Sequence, residues 1–161
     1  VDENDKYCCK QAAPKFTFGL NTSVNYKNWT FAASAHSSLG NWVYDNNTSR
    51  LSLITDLWTN NFVANRVPQG IADGFTSAQY YSDYYIKNAS FFKLDNVTVG
   101  YTVPKLFKDS GDAIDLNLFV TVQNVLVLSG YDGIDPEIFN GIDSNIWPRP
   151  RTFIAGFKLK F

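Results

Sequence analysis

The chain has 161 residues, of which 14 are basic and 15 are acidic, so its formal net charge is −1. This balance excludes a nucleic-acid binder that depends on a strongly basic surface. No apolar run approaches the ~20 residues that a membrane-spanning helix needs. A single histidine, His36, and two adjacent cysteines, Cys8 and Cys9, argue against a zinc site or a histidine-based triad. The cysteines are either two loop thiols or a strained vicinal disulfide.

The first predicted elements form a β-hairpin. Apolar residues alternate with small polar residues over 16–26 and again over 29–39, which is the period-two pattern of strands. A two-residue turn at 27–28 places Tyr26 directly opposite Trp29. Counting outward from that pair, the apolar residues of both strands fall on the same face of the hairpin.

Three more strands are predicted at 95–103, 115–125 and 152–161, each with an apolar face opposite a polar face. Before the first of them the apolar positions shift to Phe92 and Leu94, which predicts a β-bulge or a change of environment. The apolar positions of the third predicted strand from Val97 onward, and the apolar faces of the other four strands, carry no charged residue, and the opposite faces carry mainly Asn, Ser, Thr, Gly and Gln. Both properties are typical of a membrane β-barrel with a wet interior.

The connections between the predicted strands alternate between short and long. Short connections at 27–28 and 104–114 are predicted as periplasmic turns, and long ones at 40–90 and 126–151 as extracellular loops. Ser49–Trp58 is predicted to form a short helix inside the first long loop. Because five strands cannot close a barrel, the predicted fold is all-β, an antiparallel transmembrane barrel of which this chain supplies about five strands.

Candidate functional residues are few. There is no nucleophile–base pair, no glycine-rich phosphate loop and no pair of catalytic carboxylates, so we expect neither an enzyme nor a cofactor. His36 is expected on the polar face as a hydrogen-bonding residue with no carboxylate beside it. Asp2–Asp5 resembles the end of a calcium loop, although a solvated turn is the simpler interpretation. Loop aromatics could stack on sugar rings or pack within the loops: Trp42, Trp58, Tyr80, Tyr81 and Trp147.

Several segments resemble a known family. The sequences SFFKLDNVTVGYTVPK (90–105), LFVTVQNVLVLSGYDGIDPE (118–137) and WPRPRTFIAGFKLKF (147–161) resemble the C-terminal end of SusC/RagA-type TonB-dependent outer-membrane transporters. The segment PKFTFGLNTSVNYKNWTFAASAHSSLGN (14–41) resembles the part just before that end. The resemblance implies the last strands of a plug-containing barrel of about 22 strands in the outer membrane of a Bacteroidetes-like bacterium.

The resemblance also implies a function and partners. Such barrels import large nutrients, here glycan or peptide oligomers, and pair with a SusD-like surface lipoprotein. The other expected partners are the lipid bilayer, the remainder of the barrel with its plug, and TonB through an N-terminal region absent from this sequence. Phe157, Leu159 and Phe161 resemble the C-terminal signal for barrel assembly, although a plain terminal strand would look similar.

A second hypothesis belongs to another class of protein. A secreted β-sandwich that binds carbohydrate through its loop aromatics would show the same alternation, because one face of each of its sheets is buried. It would require a closed core within these residues.

Overall fold

The computed structural model describes residues 5–51, 72, 74–77, 79–105 and 114–160. The chain divides into two compact units. The strand unit comprises Thr17–Ser37, Phe91–Leu128 and Arg149–Phe161, and the loop unit comprises Val1–Phe16, Ser38–Ser90 and Ser129–Pro148. Within the described residues, no helix is both long enough and apolar enough to cross a membrane.

Eight strands and two short helical segments make up the described structure. The strands are β1 (Phe16–Tyr26), β2 (Trp29–Leu39), β3 (Trp42–Asp45), β4 (Ile86–Asn88), β5 (Phe91–Val103), β6 (Asp115–Ser129), β7 (Ile142–Asp143) and β8 (Thr152–Lys160). Helix α1 (Asn46–Leu51) follows β3, and a 3-10 turn (Asp83–Tyr85) precedes β4. One sheet has the order β1-β2-β5-β6-β8, and a smaller sheet has the order β4-β3-β7.

The five long strands lie where the alternation predicts them, but two are longer than predicted. Strand β5 begins at Phe91 rather than Asp95, and β6 continues to Ser129 rather than ending at Val125. In both cases the extra residues lie beyond a point where the alternation changes phase, so a strict period-two pattern ends too early. The second long loop therefore starts after Ser129.

The predicted start of the helix in the first long loop, at Ser49, was wrong. Helix α1 begins at Asn46 because the Asp45 carboxylate, not Ser49, caps it, accepting hydrogen bonds from the backbone and hydroxyl of Thr48. The predicted continuation as far as Trp58 lies outside the described residues.

The expected irregularity in β5 occurs between Asp95 and Asn96. Asp95 contacts His36 at 2.7 Å, and Asn96 donates a hydrogen bond to Ser34 at 2.5 Å. His36 and Ser34 lie two residues apart on β2 and therefore on one face of the sheet. Two consecutive residues of β5 thus point to the same face, as a β-bulge produces.

A second irregularity lies in β6. Asn124 adopts a left-handed backbone conformation with φ of 53°, just after the last paired position of β6 and β8. Its amide nitrogen donates to the carbonyl of Pro150 at 2.8 Å, and the guanidinium of Arg151 donates to the carbonyl of Val125 at 2.9 Å. Side chains thus supply hydrogen bonds to the backbone where the ladder between β6 and β8 stops, and β6 continues to Ser129.

The register of β6 and β8 separates their two faces. Leu118 is opposite Phe157 and Val120 is opposite Ala155, so one face is apolar. On the other face Phe119 is opposite Gly156, and its ring covers the glycine so closely that an added Cβ would lie 2.6 Å from the ring. Gly156 therefore provides the space for the Phe119 ring.

Strand β1 decides against a sandwich. All eleven of its residues are exposed, so neither of its faces is covered by a second layer in the described structure. A β-sandwich would bury one face of every long strand. The hypothesis of a carbohydrate-binding sandwich with a closed core is therefore wrong.

Replacing Gly156 with alanine in the full-length protein should lower the free energy of unfolding by about 1–3 kcal/mol, because the new methyl group overlaps the Phe119 ring. Denaturant titration of the detergent-solubilised protein measures the change. The matched control is Gly19→Ala in β1, where an added Cβ meets nothing within 4 Å. Equal effects of the two substitutions, or no relief of the Gly156→Ala defect by Phe119→Ala, would contradict this packing.

Candidate functional site

The polar face of the strand unit is held together by side-chain hydrogen bonds between neighbouring strands. The hydroxyls of Thr98 on β5 and Thr121 on β6 lie 2.8 Å apart. Asn117 donates to the hydroxyl of Thr102 at 2.8 Å, and the Asn96–Ser34 contact continues the pattern onto β2. These uncharged groups satisfy one another across the strands, which suits a crowded, wet interior surface.

His36 lies on this polar face, as predicted, but the expectation that it has no neighbouring carboxylate was wrong. The Nδ1 atom of His36 is 2.7 Å from the Asp95 carboxylate, and the rings of His36 and Phe91 pack edge to face with 5.3 Å between their centroids. The Asp95 carboxylate reaches His36 because of the bulge in β5. Strict alternation would place Asp95 on the apolar face, and the bulge places it on the polar face. The pair links β2 to β5.

The opposite face of the strand unit is apolar and exposed. Its exposed members include Leu20, Val24, Phe31, Leu118, Val120, Phe153 and Phe157. Near the 27–28 turn the Trp29 ring packs against Tyr101 at 4.8 Å and against Phe31 at 6.1 Å. An exposed apolar band with aromatic residues at its border is the arrangement found on the lipid side of membrane barrels.

The loop unit joins the two long connections that the sequence presents as separate loops. Strand β3 pairs with β4 antiparallel and with β7 parallel, and Val43, Ala89 and Tyr131 form its apolar core. Asn46 and Asn47 at the start of α1 donate to Ser144 and to the carbonyl of Asn145. One folded unit therefore replaces the two predicted loops.

Two fully buried carboxylates, Asp45 and Asp143, lie side by side in the register of β3 and β7. Asp143 accepts hydrogen bonds from the Tyr131 hydroxyl at 2.7 Å and from the backbone of Asn145 at 2.9 Å. The Asp45 carboxylate is 3.2 Å from the Lys87 ammonium. Each carboxylate is thus satisfied by donors of the loop unit itself, which indicates a structural role.

The pKa of Asp45 reflects this environment. Burial alone would raise the pKa, but the hydrogen bonds from Thr48 and the charge of Lys87 outweigh burial and lower it below its usual 3.8. A lowered pKa means that the charged carboxylate stabilises the fold.

Two of the predicted loop aromatics, Tyr80 and Tyr81, line one cavity of about 460 Å³ in the loop unit. Tyr7, which the sequence did not single out, lines the same cavity and donates a 2.6 Å hydrogen bond to Asp83. That hydrogen bond and the negative charge of Asp83 raise the pKa of Tyr7 to about 12.

The other predicted site residues are not brought to this cavity. Trp42 is half-buried beneath the Lys10 ammonium, 4.6 Å from its ring centroid, and Trp147 is exposed but does not line the cavity. Trp58 lies outside the described residues, as do Phe161 and most of Asp2–Asp5. Phe157 and Leu159 lie on the exposed apolar face, and their role in assembly stays a prediction.

Cys8 and Cys9 are both free thiols in this structure. Among the described residues no group of three or more His, Cys, Asp or Glu side chains could hold a metal ion.

Comparison with known proteins supplies the identity of the chain. No family model matches it. The TonB-dependent receptor SusC of Bacteroides thetaiotaomicron is 38% identical over 165 residues, which cover 100% of this chain and 16% of the receptor. TonB-dependent receptor P3 of Formosa agariphila is 24% identical over 181 residues, covering 100% of this chain and 18% of that protein.

Solved structures agree with these relatives in fold. A structure of the RagAB peptide transporter matches 94% of this chain, and 18% of its own, with a TM-score of 0.73 and 21% identity. The RagAB peptide importer in its closed-closed state matches 100% of this chain, and 20% of its own, with a TM-score of 0.72 and 20% identity. The chain belongs to the SusC/RagA-type TonB-dependent receptors, as a segment of their barrel.

Membership in the SusC/RagA-type family explains the two faces of the sheet. The five long strands are part of a larger outer-membrane β-barrel, and the chain is a piece of a receptor rather than an enzyme. It spans 16–18% of the length of the curated relatives. A fragment of this size accounts for the open sheet, because the neighbours of its edge strands lie elsewhere in the barrel.

Asp45→Ala should open the loop unit locally. Removing the carboxylate takes away the cap of α1 and one of the two carboxylates beside the Lys87 ammonium, a loss of about 1–3 kcal/mol. Hydrogen–deuterium exchange in the full-length receptor measures this local opening. Peptides covering 42–51 should exchange faster in the Asp45→Ala protein than in the wild type at neutral pH. The control is Asp132→Ala, whose exposed carboxylate lies 3.7 Å from the same ammonium and should matter by only about 0–1 kcal/mol.

The same carboxylate should also make the loop unit sensitive to acid. Because the pKa of Asp45 is lowered by folding, its contribution is complete above pH 3.8 and disappears as the pH falls further, through the folded pKa. Asp45→Asn should remove this part of the pH dependence. An unchanged acid profile in that variant, or equal exchange in the Asp45→Ala and Asp132→Ala proteins, would refute the role assigned to Asp45.

Proposed function

We propose that the receptor containing this chain imports large nutrients, glycan or peptide oligomers, across the outer membrane. The chain supplies part of the barrel wall and the outer loops. The observation that carries the proposal is the chemistry of the five-stranded sheet, which has an uncharged apolar face towards lipid and a hydrogen-bonded polar face towards the interior. The names of its relatives, a TonB-dependent receptor SusC and a RagAB peptide importer, support the same function.

The proposed orientation follows from the connections. Tight turns of outer-membrane barrels face the periplasm, whereas longer loops face outward. The 27–28 turn is therefore placed on the periplasmic side, and the long connections at 40–90 and 126–151 on the extracellular side. In that position these connections would meet nutrients before they enter the barrel.

The proposed partners include proteins beyond this chain. A plug and the segment that contacts TonB would belong to the rest of the receptor, and TonB would supply the energy for import. The connection at 126–151, proposed to be extracellular, carries large exposed apolar side chains at Phe139, Ile146 and Trp147. Exposed apolar groups of this kind mark protein contacts, and here the proposed contact is a SusD-like surface lipoprotein.

The growth of a deletion strain tests the proposed import. Cells that lack the whole receptor should fail to grow on at least one glycan or peptide oligomer as sole carbon source, should grow normally on the corresponding monomers, and should recover with the wild-type gene. Normal growth on every oligomer tested would contradict import by this receptor.

A charge placed on the lipid face tests the proposed position of the sheet. Val120→Lys should cost about 2–4 kcal/mol near the middle of the bilayer and lower the folded, heat-modifiable fraction in outer membranes. Gln123→Lys, on the polar face of the same strand, is the matched control and should assemble normally. Equal assembly of both variants would mean that Val120 does not face lipid.

A further inference from the structure

The apolar face of the strand unit carries an open groove of about 340 Å³ that crosses β2, β5, β6 and β8. Three strand spacings give the groove a length of about 14 Å. The described residues that line it include no charged side chain, and its walls and floor are formed by Trp29, Val99, Tyr101, Leu118, Val120 and Ala155. We propose that this groove holds one acyl chain of a phospholipid from the periplasmic leaflet, whose phosphate group lies at the Lys27 ammonium.

The depth of the groove comes from the short side chain of Ala155. Phe153, Ala155 and Phe157 alternate along β8 and therefore share one face of the sheet. The two phenylalanine side chains are 70% and 69% exposed, so both rings project from the sheet. Ala155, which is opposite Val120 on β6, leaves a depression between these rings. A flexible hydrocarbon chain fills an open apolar depression of this kind without leaving a void.

Aromatic rings mark one end of the groove. The rings of Trp29 and Tyr101 both line it and lie 4.8 Å apart between centroids. The backbone of Thr102 donates a 2.8 Å hydrogen bond to the carbonyl of Asn28, so this end lies beside the 27–28 turn. Trp and Tyr gather where the hydrocarbon of a bilayer meets the headgroups. The groove therefore runs from headgroup level at Trp29 towards the hydrocarbon at Ala155.

Lys27 brings a positive charge to the lipid side of this end. Its ammonium lies 5.4 Å from the centroid of the Tyr26 ring, and Tyr26 shares the apolar face with Val24, two residues before it. A lysine stem can cover apolar surface in this way while its ammonium stays among the headgroups. Lys105 is a second cation at this end, and Asp115, whose carboxylate accepts a hydrogen bond from the Lys105 backbone, is the acidic neighbour. The Lys27 ammonium is thus placed to attract a lipid phosphate group.

The position of the groove selects the occupant. In an outer membrane the periplasmic leaflet consists of phospholipids, whereas lipopolysaccharide occupies the outer leaflet. The groove ends at the 27–28 turn, which the proposed orientation places on the periplasmic side. A protein partner would instead need roughly 800 Å² of matching surface on this face. The inference goes beyond nutrient import, and it uses the proposed orientation only to choose the leaflet.

Lipid binding by the full-length receptor tests this site. Delipidated receptor in detergent is titrated with phosphatidylglycerol, and native mass spectrometry counts the lipids bound. The wild type should bind a lipid that Ala155→Phe binds at least about tenfold more weakly, because the new ring overfills the groove. Lys27→Ala should weaken the same binding about fivefold, as expected for one basic residue beside an anionic headgroup. Diacylglycerol, which has the acyl chains but no phosphate, should bind more weakly and should not respond to Lys27→Ala.

Two matched variants control for general effects on the barrel. Ala33→Phe adds the same ring outside the groove, and Lys158→Ala removes a lysine that is opposite Asn117 on the polar face, so both should bind lipid as the wild type does. If Ala155→Phe fails to assemble, Ala155→Leu replaces it. Binding that is unaffected by filling the groove, equal losses in the variants and their controls, or no response to Lys27→Ala overturns the proposed site. Groove-dependent binding of lipopolysaccharide in place of phosphatidylglycerol also overturns it and contradicts the proposed orientation.

Discussion

Exclusion of charge from one face of the five-stranded sheet is the constraint on which the rest of this structure depends. In hydrocarbon a charged side chain is costly and every backbone polar group needs a partner within the protein. Strands β6 and β8 meet these conditions with a ladder that is unbroken from Asp115 to Gln123 and with apolar residues such as Val120 and Phe157 on the outer face. The polar side chains are consequently confined to the other face, where Thr98 and Thr121 satisfy each other across the strands.

The strand positions could be predicted because lipid on one side and water on the other impose a strict period of two. Phe16–Tyr26 and Trp29–Leu39 show this pattern without interruption and are found as strands with those limits. The predicted limits of β5 and β6 were too short because the alternation changes phase at an irregular position in each strand. The bulge at Asp95 was expected from the shift of apolar phase, but its consequence, a carboxylate beside His36, depends on a cross-strand contact that the pattern does not contain.

The candidate site could be predicted only in part, because it is built by contacts between distant residues. Tyr80 and Tyr81 were recognised as exposed loop aromatics, whereas Tyr7 joins them through a hydrogen bond to Asp83, 76 positions away. The loop unit likewise depends on contacts such as Asn46 to Ser144, 98 positions apart. The local sequence pattern identifies neither the Tyr7–Asp83 contact nor the Asn46–Ser144 contact, because these segments have no periodicity. Their composition predicted only long loops.

The central claim is that alternate residues of β6 face lipid and the barrel interior, and spin-label scanning tests it most directly. Single nitroxide labels at each position of 116–123 are placed in the full-length receptor in bilayers, and their collision with oxygen and with a water-soluble nickel complex is measured. Even positions, including Leu118 and Val120, should favour oxygen, and odd positions, including Thr121 and Gln123, should favour the nickel complex. Equal access of the nickel complex to both sets would contradict a membrane-spanning sheet.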